Sequence, residues 1–93
     1  MNFPLFRVVY IIESGDFALQ AGFSVGKKRF RKATDRNRIR RLMREAWRLQ
    51  SIPLKDKLKA RGRKSEVFLI FTGSEVPTLS VVKDGIAGIL LKL

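Results

Sequence analysis

Between Lys27 and Arg48 the chain carries eleven lysines and arginines (27, 28, 29, 31, 32, 36, 38, 40, 41, 44 and 48) and two acids, Asp35 and Glu45. Most of the molecule's formal net charge of +12 sits here. Such a segment repels itself when compacted, so its cations must lie outside the core and call for a polyanionic partner. The same segment has apolar residues at helical spacing. Ile39, Leu42, Met43, Ala46 and Leu49 form one stripe, with Trp47 at its margin. The spacing predicts a helix over 34–50, capped by Thr34 or Asp35. Asn37, Arg40, Arg41, Arg44 and Arg48 fall on its other side, with Arg41 and Glu45 placed to pair across one turn.

A chain of 93 residues forms one small domain, and a hydrophobic fraction of 45% can offset chain entropy. It contains neither cysteine nor histidine. Disulfides, cysteine-held metals, the commonest general base and the commonest neutral metal ligand are thereby excluded. Its eight acids are scattered with no close pair, so an autonomous catalytic site is not expected. No apolar run approaches the ~18 residues of a membrane span. Met1 to Ile12 is apolar but interrupted by Arg7 and not followed by a small-residue cleavage site, which reads as a strand in a cytoplasmic protein.

Phe3 to Ile12 is rich in strand formers and apolar on both faces: Leu5, Val9 and Ile11 on one, Phe6, Val8, Tyr10 and Ile12 on the other. Glu13 to Asp16 is a turn by composition. Phe17 to Gly26 alternates, with Leu19, Ala21, Phe23 and Val25 on one face, and an antiparallel hairpin with the first strand is expected. In the basic connector 51–64, Pro53 can start a short helical turn that carries Leu54 and Leu58 inward and ends at Gly62. Val67 to Phe71 reads as a buried strand. A last helix over 78–93 turns Val82, Ile86, Ile89, Leu90 and Leu93 inward, with Gly85 and Gly88 each costing it about 1 kcal/mol relative to Ala. The expected class is α+β, a small sheet with helices in β-β-α-β-α order.

A helix face that only solubilises mixes charge signs, whereas this one is basic apart from Glu45. The charge also continues upstream through Lys27, Lys28, Arg29, Arg31 and Lys32, in a loop where nothing apolar forces order. From Asn37 to Arg48 the ridge spans roughly 16 Å, enough for several phosphates, and guanidinium groups suit phosphate oxygens and base faces. Nucleic acid is favoured over a solvated face and over a basic amphipathic membrane helix, since the apolar stripe is needed for a core. Phe6 and Tyr10 have two readings, as core aromatics or as platforms for unpaired bases, and the residues alone do not choose.

At Arg36-Asn37-Arg38, followed by Arg40-Arg41, Arg44-Glu45 and Arg48, the chain resembles the protein component of bacterial ribonuclease P. Gly22-Phe23-Ser24-Val25 with Lys27-Lys28 is similar to that family's strand leading into its arginine-rich helix, and the likeness runs through nearly the whole chain from Phe3. The resemblance implies a ribosomal protein S5 domain 2-like sandwich. It also implies a non-catalytic subunit of an endonuclease, a ribonucleoprotein hydrolase of tRNA processing. The subunit binds the catalytic RNA and the 5′ leader of precursor tRNA, while magnesium acts through the RNA. Arg36, Asn37, Arg38, Arg40, Arg41 and Arg44 are implied as the RNA-facing set, and Phe6 and Tyr10 with Arg40 and Arg44 as the leader cleft.

Two departures from the family stand out. The family's N-terminal helix and first strand are absent before Phe3, which suggests a trimmed chain. The loop from Lys28 to Arg36 lacks the usual glycine and is a residue longer than in many members. Without the N-terminal helix, the Phe6–Val8–Tyr10 face is expected to lie open and to promote self-association. The rival reading is a general RNA-binding or ribosome-associated protein of the same fold without a role in tRNA processing. A third, an independent nuclease, requires cleavage by the protein and magnesium alone.

Overall fold

A computed structural model describes residues 2–16 and 18–93. Its elements run β1 (Phe6–Ser14), β2 (Ala18–Val25), α1 (Ala33–Gln50), α2 (Ile52–Ala60), β3 (Arg63–Phe71) and α3 (Leu79–Lys92). The class is α+β as expected, but the connector before β3 forms a full helix, so the order is β-β-α-α-β-α. Pro53 sits in the first turn of α2, Leu54 and Leu58 are buried, and Gly62 follows the helix at φ 60°. The sequence signals for one turn were thus the signals of a nine-residue helix. Phe17, where the second strand was expected to begin, lies outside the described residues.

The expected β1–β2 hairpin does not form. β3 lies between the two strands, antiparallel to β1 and parallel to β2. The Gly15 N–H donates to the Gly62 carbonyl at 3.0 Å, so the connection after β1 crosses beside the start of β3 before β2 begins. Hydrophobicity explains the order. Val67 to Phe71 is an uninterrupted apolar run suited to the centre, whereas β2 carries Gln20, Gly22 and Ser24 on one face and tolerates an edge. The stretch through α1 and α2 is the crossover that a parallel β2–β3 pair requires.

One face of this sheet holds the core. Phe6, Val8, Val25, Val67, Leu69 and Phe71 pack with Ile39, Met43 and Ala46 of α1, Leu54 and Leu58 of α2, and Val82, Ile86 and Ile89 of α3. The Phe6 ring meets Phe71 edge-on at 5.6 Å. The Phe6–Val8 face is therefore closed rather than open, because α3 lies over Phe6, and the ground for expecting self-association through it falls away. The open side is the opposite one, where Val9, Ile11 and Phe68 are exposed. Phe68 also corrects the reading of 67–71 as a buried strand: it is 45% exposed. It lies directly over Gly22, where a Cβ would come within 2.6 Å of its ring.

The apolar stripe of α1 is largely as its spacing predicts, with two changes at its margins. Trp47 is buried and meets Phe23 edge-on at 6.3 Å, while Leu49 is exposed. Lys32, not Thr34 or Asp35, occupies the N-cap position of α1, and no side chain caps it. In α3 the Thr78 hydroxyl accepts from the Val81 N–H at 3.3 Å.

Candidate nucleic-acid interface

With the apolar side of α1 turned to the sheet and α3, its other side is left to its cations. Asn37, Arg38, Arg41, Arg44 and Arg48 are exposed, and Arg36 and Arg40 are partly buried. Local contacts order this ridge. Arg40 Nη2 donates to Asn37 Oδ1 at 2.7 Å, so the asparagine sets the direction of the arginine. Glu45 engages Arg48 rather than Arg41: Arg48 Nη2 to Glu45 Oε1 is 2.7 Å and Nε to Oε2 is 3.4 Å. The hydrogen bond from Arg48, followed by its charge, holds the Glu45 carboxyl below the ordinary glutamate range, and the same contacts raise Arg48. Both groups are solvated, so the pair orders side chains more than it stabilises the fold. The one acid on the ridge is thus occupied by one arginine, leaving Arg38, Arg40, Arg41 and Arg44 without a carboxylate partner among the described ion pairs.

The loop before α1 carries Lys27, Lys28, Arg29, Arg31 and Lys32, all exposed. Contrary to expectation, something apolar does order it. Phe30 is buried in the core, 6.0 Å from the Phe71 ring, and its N–H donates to the Gly26 carbonyl at 3.2 Å. Two arginines bond back to the chain's own backbone carbonyls. Arg36 Nη1 donates to the carbonyls of Phe30 (2.7 Å) and Arg31 (2.9 Å), and Arg29 Nη1 donates to the carbonyl of Thr72. The pattern in sequence marked both only as cations. A buried aromatic in a basic loop was the available signal that the loop has a fixed path.

The aromatics separate. Phe6 is 1% exposed in the core and cannot stack on a base, which removes it from the leader set. Its face is the inner one because it pairs with Phe71 in the sheet register. Tyr10 is 39% exposed. It pairs with Val67 at the middle of β1, beyond the part of the inner face that α3 covers at Phe6. α1 packs against β2, and β1 is the far edge of the sheet, so two strand spacings, about 10 Å, lie between Tyr10's strand and the edge beside α1. Phe68, with Val9 and Ile11, forms a second exposed apolar surface that the sequence reading missed, because alternation within a short apolar run is not visible.

Among the described residues, no group of three or more His, Cys, Asp or Glu could hold a metal ion. No helix among them is long and apolar enough to cross a membrane.

The family model described as Ribonuclease P matches residues 2–74. A ribonuclease P protein component from Porphyromonas gingivalis is 37% identical over 98% of this chain and 67% of its own length. The corresponding protein of a second strain of that species is 36% identical over the same shares. A ribonuclease P protein component from Chlorobaculum tepidum is 68% identical over 28 residues, covering 30% of this chain and 18% of its own. No solved structure matches the chain. On the family match and the likeness to the two Porphyromonas gingivalis proteins, which spans nearly all of this chain and 67% of theirs, the chain belongs to the ribonuclease P protein family.

Proposed function

We propose that this chain is the RNA-binding protein subunit of ribonuclease P, acting in the cytoplasm. It holds the catalytic RNA and the 5′ leader of precursor tRNA, and assists removal of the leader. The carrying observation is the cationic ridge of α1, on which the Glu45 carboxylate is taken up by Arg48 while Arg38, Arg41 and Arg44 are exposed. In this reading Lys27, Lys28, Arg31 and Lys32 of the loop and Asn37, Arg38, Arg41 and Arg48 of the helix meet RNA phosphates. Arg40 and Arg44, with Tyr10, guide the single-stranded leader. The fold is taken as the family's S5 domain 2-like sandwich. Among the described residues the carboxylates form no group that could hold a metal ion; in this reading magnesium acts through the RNA, as the family resemblance implies.

Binding to ribonuclease P RNA tests this. If about six cations neutralise phosphates, affinity should fall on the order of a hundredfold or more between 50 and 200 mM salt. Replacing Arg40 and Arg44 by Ala should weaken binding by roughly 1–3 kcal/mol while leaving thermal stability nearly unchanged. A flat salt response would overturn the reading. The alternative, a general RNA-binding protein without a tRNA-processing role, is not favoured by the family match.

A further inference from the structure

Arg36 lies within the arginine-asparagine-arginine triplet, yet its guanidinium is directed back into its own chain. One nitrogen, Nη1, donates to two successive loop carbonyls, those of Phe30 and Arg31, while the Arg36 backbone N–H takes the carbonyl of Lys32 at 3.2 Å. Three consecutive carbonyls are thus held by one residue. On the other side of the loop, Arg29 Nη1 donates to the Thr72 carbonyl just after β3, and beneath it the Phe30 ring is fixed in the core. A segment carrying five cations would otherwise be spread by its own repulsion. Tied from the helix, from β3 and from below, it instead presents Lys27, Lys28, Arg31 and Lys32 along a fixed path.

We infer that Arg36, assisted by Arg29, is a positioning residue that holds the 27–32 loop in its RNA-binding shape rather than a phosphate ligand itself. The inference rests on the RNA-binding reading above and sharpens it. Its thermodynamic consequence is coupling. A phosphate ligand contributes alone, whereas a positioning residue governs the contributions of the loop cations it orders. The side-chain requirement is specific as well. A phosphate site accepts lysine as a point charge, but a compact, strongly hydrated ammonium is a poor substitute for a guanidinium reaching back to two carbonyls.

The test uses Arg36→Lys, Arg36→Gln and Lys28→Ala, alone and combined, with binding to ribonuclease P RNA followed against salt. Backbone amide exchange over residues 26–32 of the free protein and thermal midpoints are measured beside it. Arg36→Lys should behave like Arg36→Gln. Each should lower the magnitude of the salt slope by about two or more, where loss of one ordinary contact lowers it by about 0.7–0.9. The loop amides should exchange at least roughly tenfold faster in both, with α1 and the sheet still protected. Lys28→Ala, costing roughly fivefold alone, should cost less than about twofold in the Arg36→Gln background. Recovery of affinity by lysine, a slope change near one and additive losses would overturn the inference and make Arg36 a direct ligand. Failure of the unmodified chain to bind in a salt-dependent way would instead overturn the functional reading. Loop exchange in the free protein would then decide the tether by itself: unchanged exchange in Arg36→Gln refutes it.

Discussion

Arg48 reaches back along α1 to Glu45, with Nη2 and Oε1 at 2.7 Å, and so withholds one cation from the most basic face of the molecule. Glu45→Gln should therefore tighten RNA binding, by about twofold to fivefold at low salt, and steepen the salt slope by up to about one as Arg48 becomes available. An unchanged slope would mean that RNA already displaces the carboxylate. The pair also has a pH signature. Because the folded-state value of Glu45 is depressed, its small stabilisation is present above the unfolded value and disappears as pH falls through the folded one. Carboxyl titration by NMR should give a lower value for Glu45 in the unmodified protein than in Arg48→Ala; equal values would contradict the pairing.

The two glycines of α3 should respond in opposite directions to the same substitution. A Cβ on Gly85 would meet Phe6 Cε2 at 2.5 Å, and Phe6 is enclosed by the sheet and Phe71, whereas nothing lies within 4 Å of a Cβ on Gly88. Gly88→Ala should stabilise the protein by up to about 1 kcal/mol through helix propensity. Gly85→Ala should destabilise it by about 1–3 kcal/mol, because overpacking exceeds that gain. Denaturant midpoints of the two variants check this; stabilisation by both would show that Phe6 can yield.

Phe6 and Tyr10 share a strand face but not a role. Phe6→Ala should cost about 3–5 kcal/mol of stability, as removal of a buried aromatic does. Tyr10→Ala should leave the melting midpoint nearly unchanged and weaken binding of leader-bearing precursor tRNA by about 1–3 kcal/mol, the range for base stacking, without changing binding of leaderless tRNA. Equal losses for both RNAs would remove Tyr10 from the leader contact.

These contrasts show where the sequence was legible. The helical stripe Ile39–Met43–Ala46 and the inward row Val82–Ile86–Ile89 follow from spacing, and the structure buries each as expected. Strand order was not legible in the same way. Two apolar segments joined by a short Gly-containing turn pattern as a hairpin, and only the later run Val67–Phe71 competes for the place between them. The open face was misassigned for a related reason. With both faces of β1 apolar, period-two alternation cannot tell Phe6 and Val8 from Val9 and Ile11, and the helix over Phe6 decides. At the interface, cation positions were readable but cation partners were not. Arg36 and Arg29 bond to backbone carbonyls, and Glu45 chooses Arg48 over Arg41, through geometry that composition does not carry.

The central claim is that this chain serves ribonuclease P by binding RNA while the RNA performs the chemistry. The direct measurement is cleavage of precursor tRNA by protein-free ribonuclease P RNA at low magnesium, with and without the chain. Added protein should restore accurate removal of the 5′ leader, and protein with magnesium but no RNA should cleave nothing. Binding to the RNA with no gain in leader cleavage, or cleavage by the protein alone, would contradict the account.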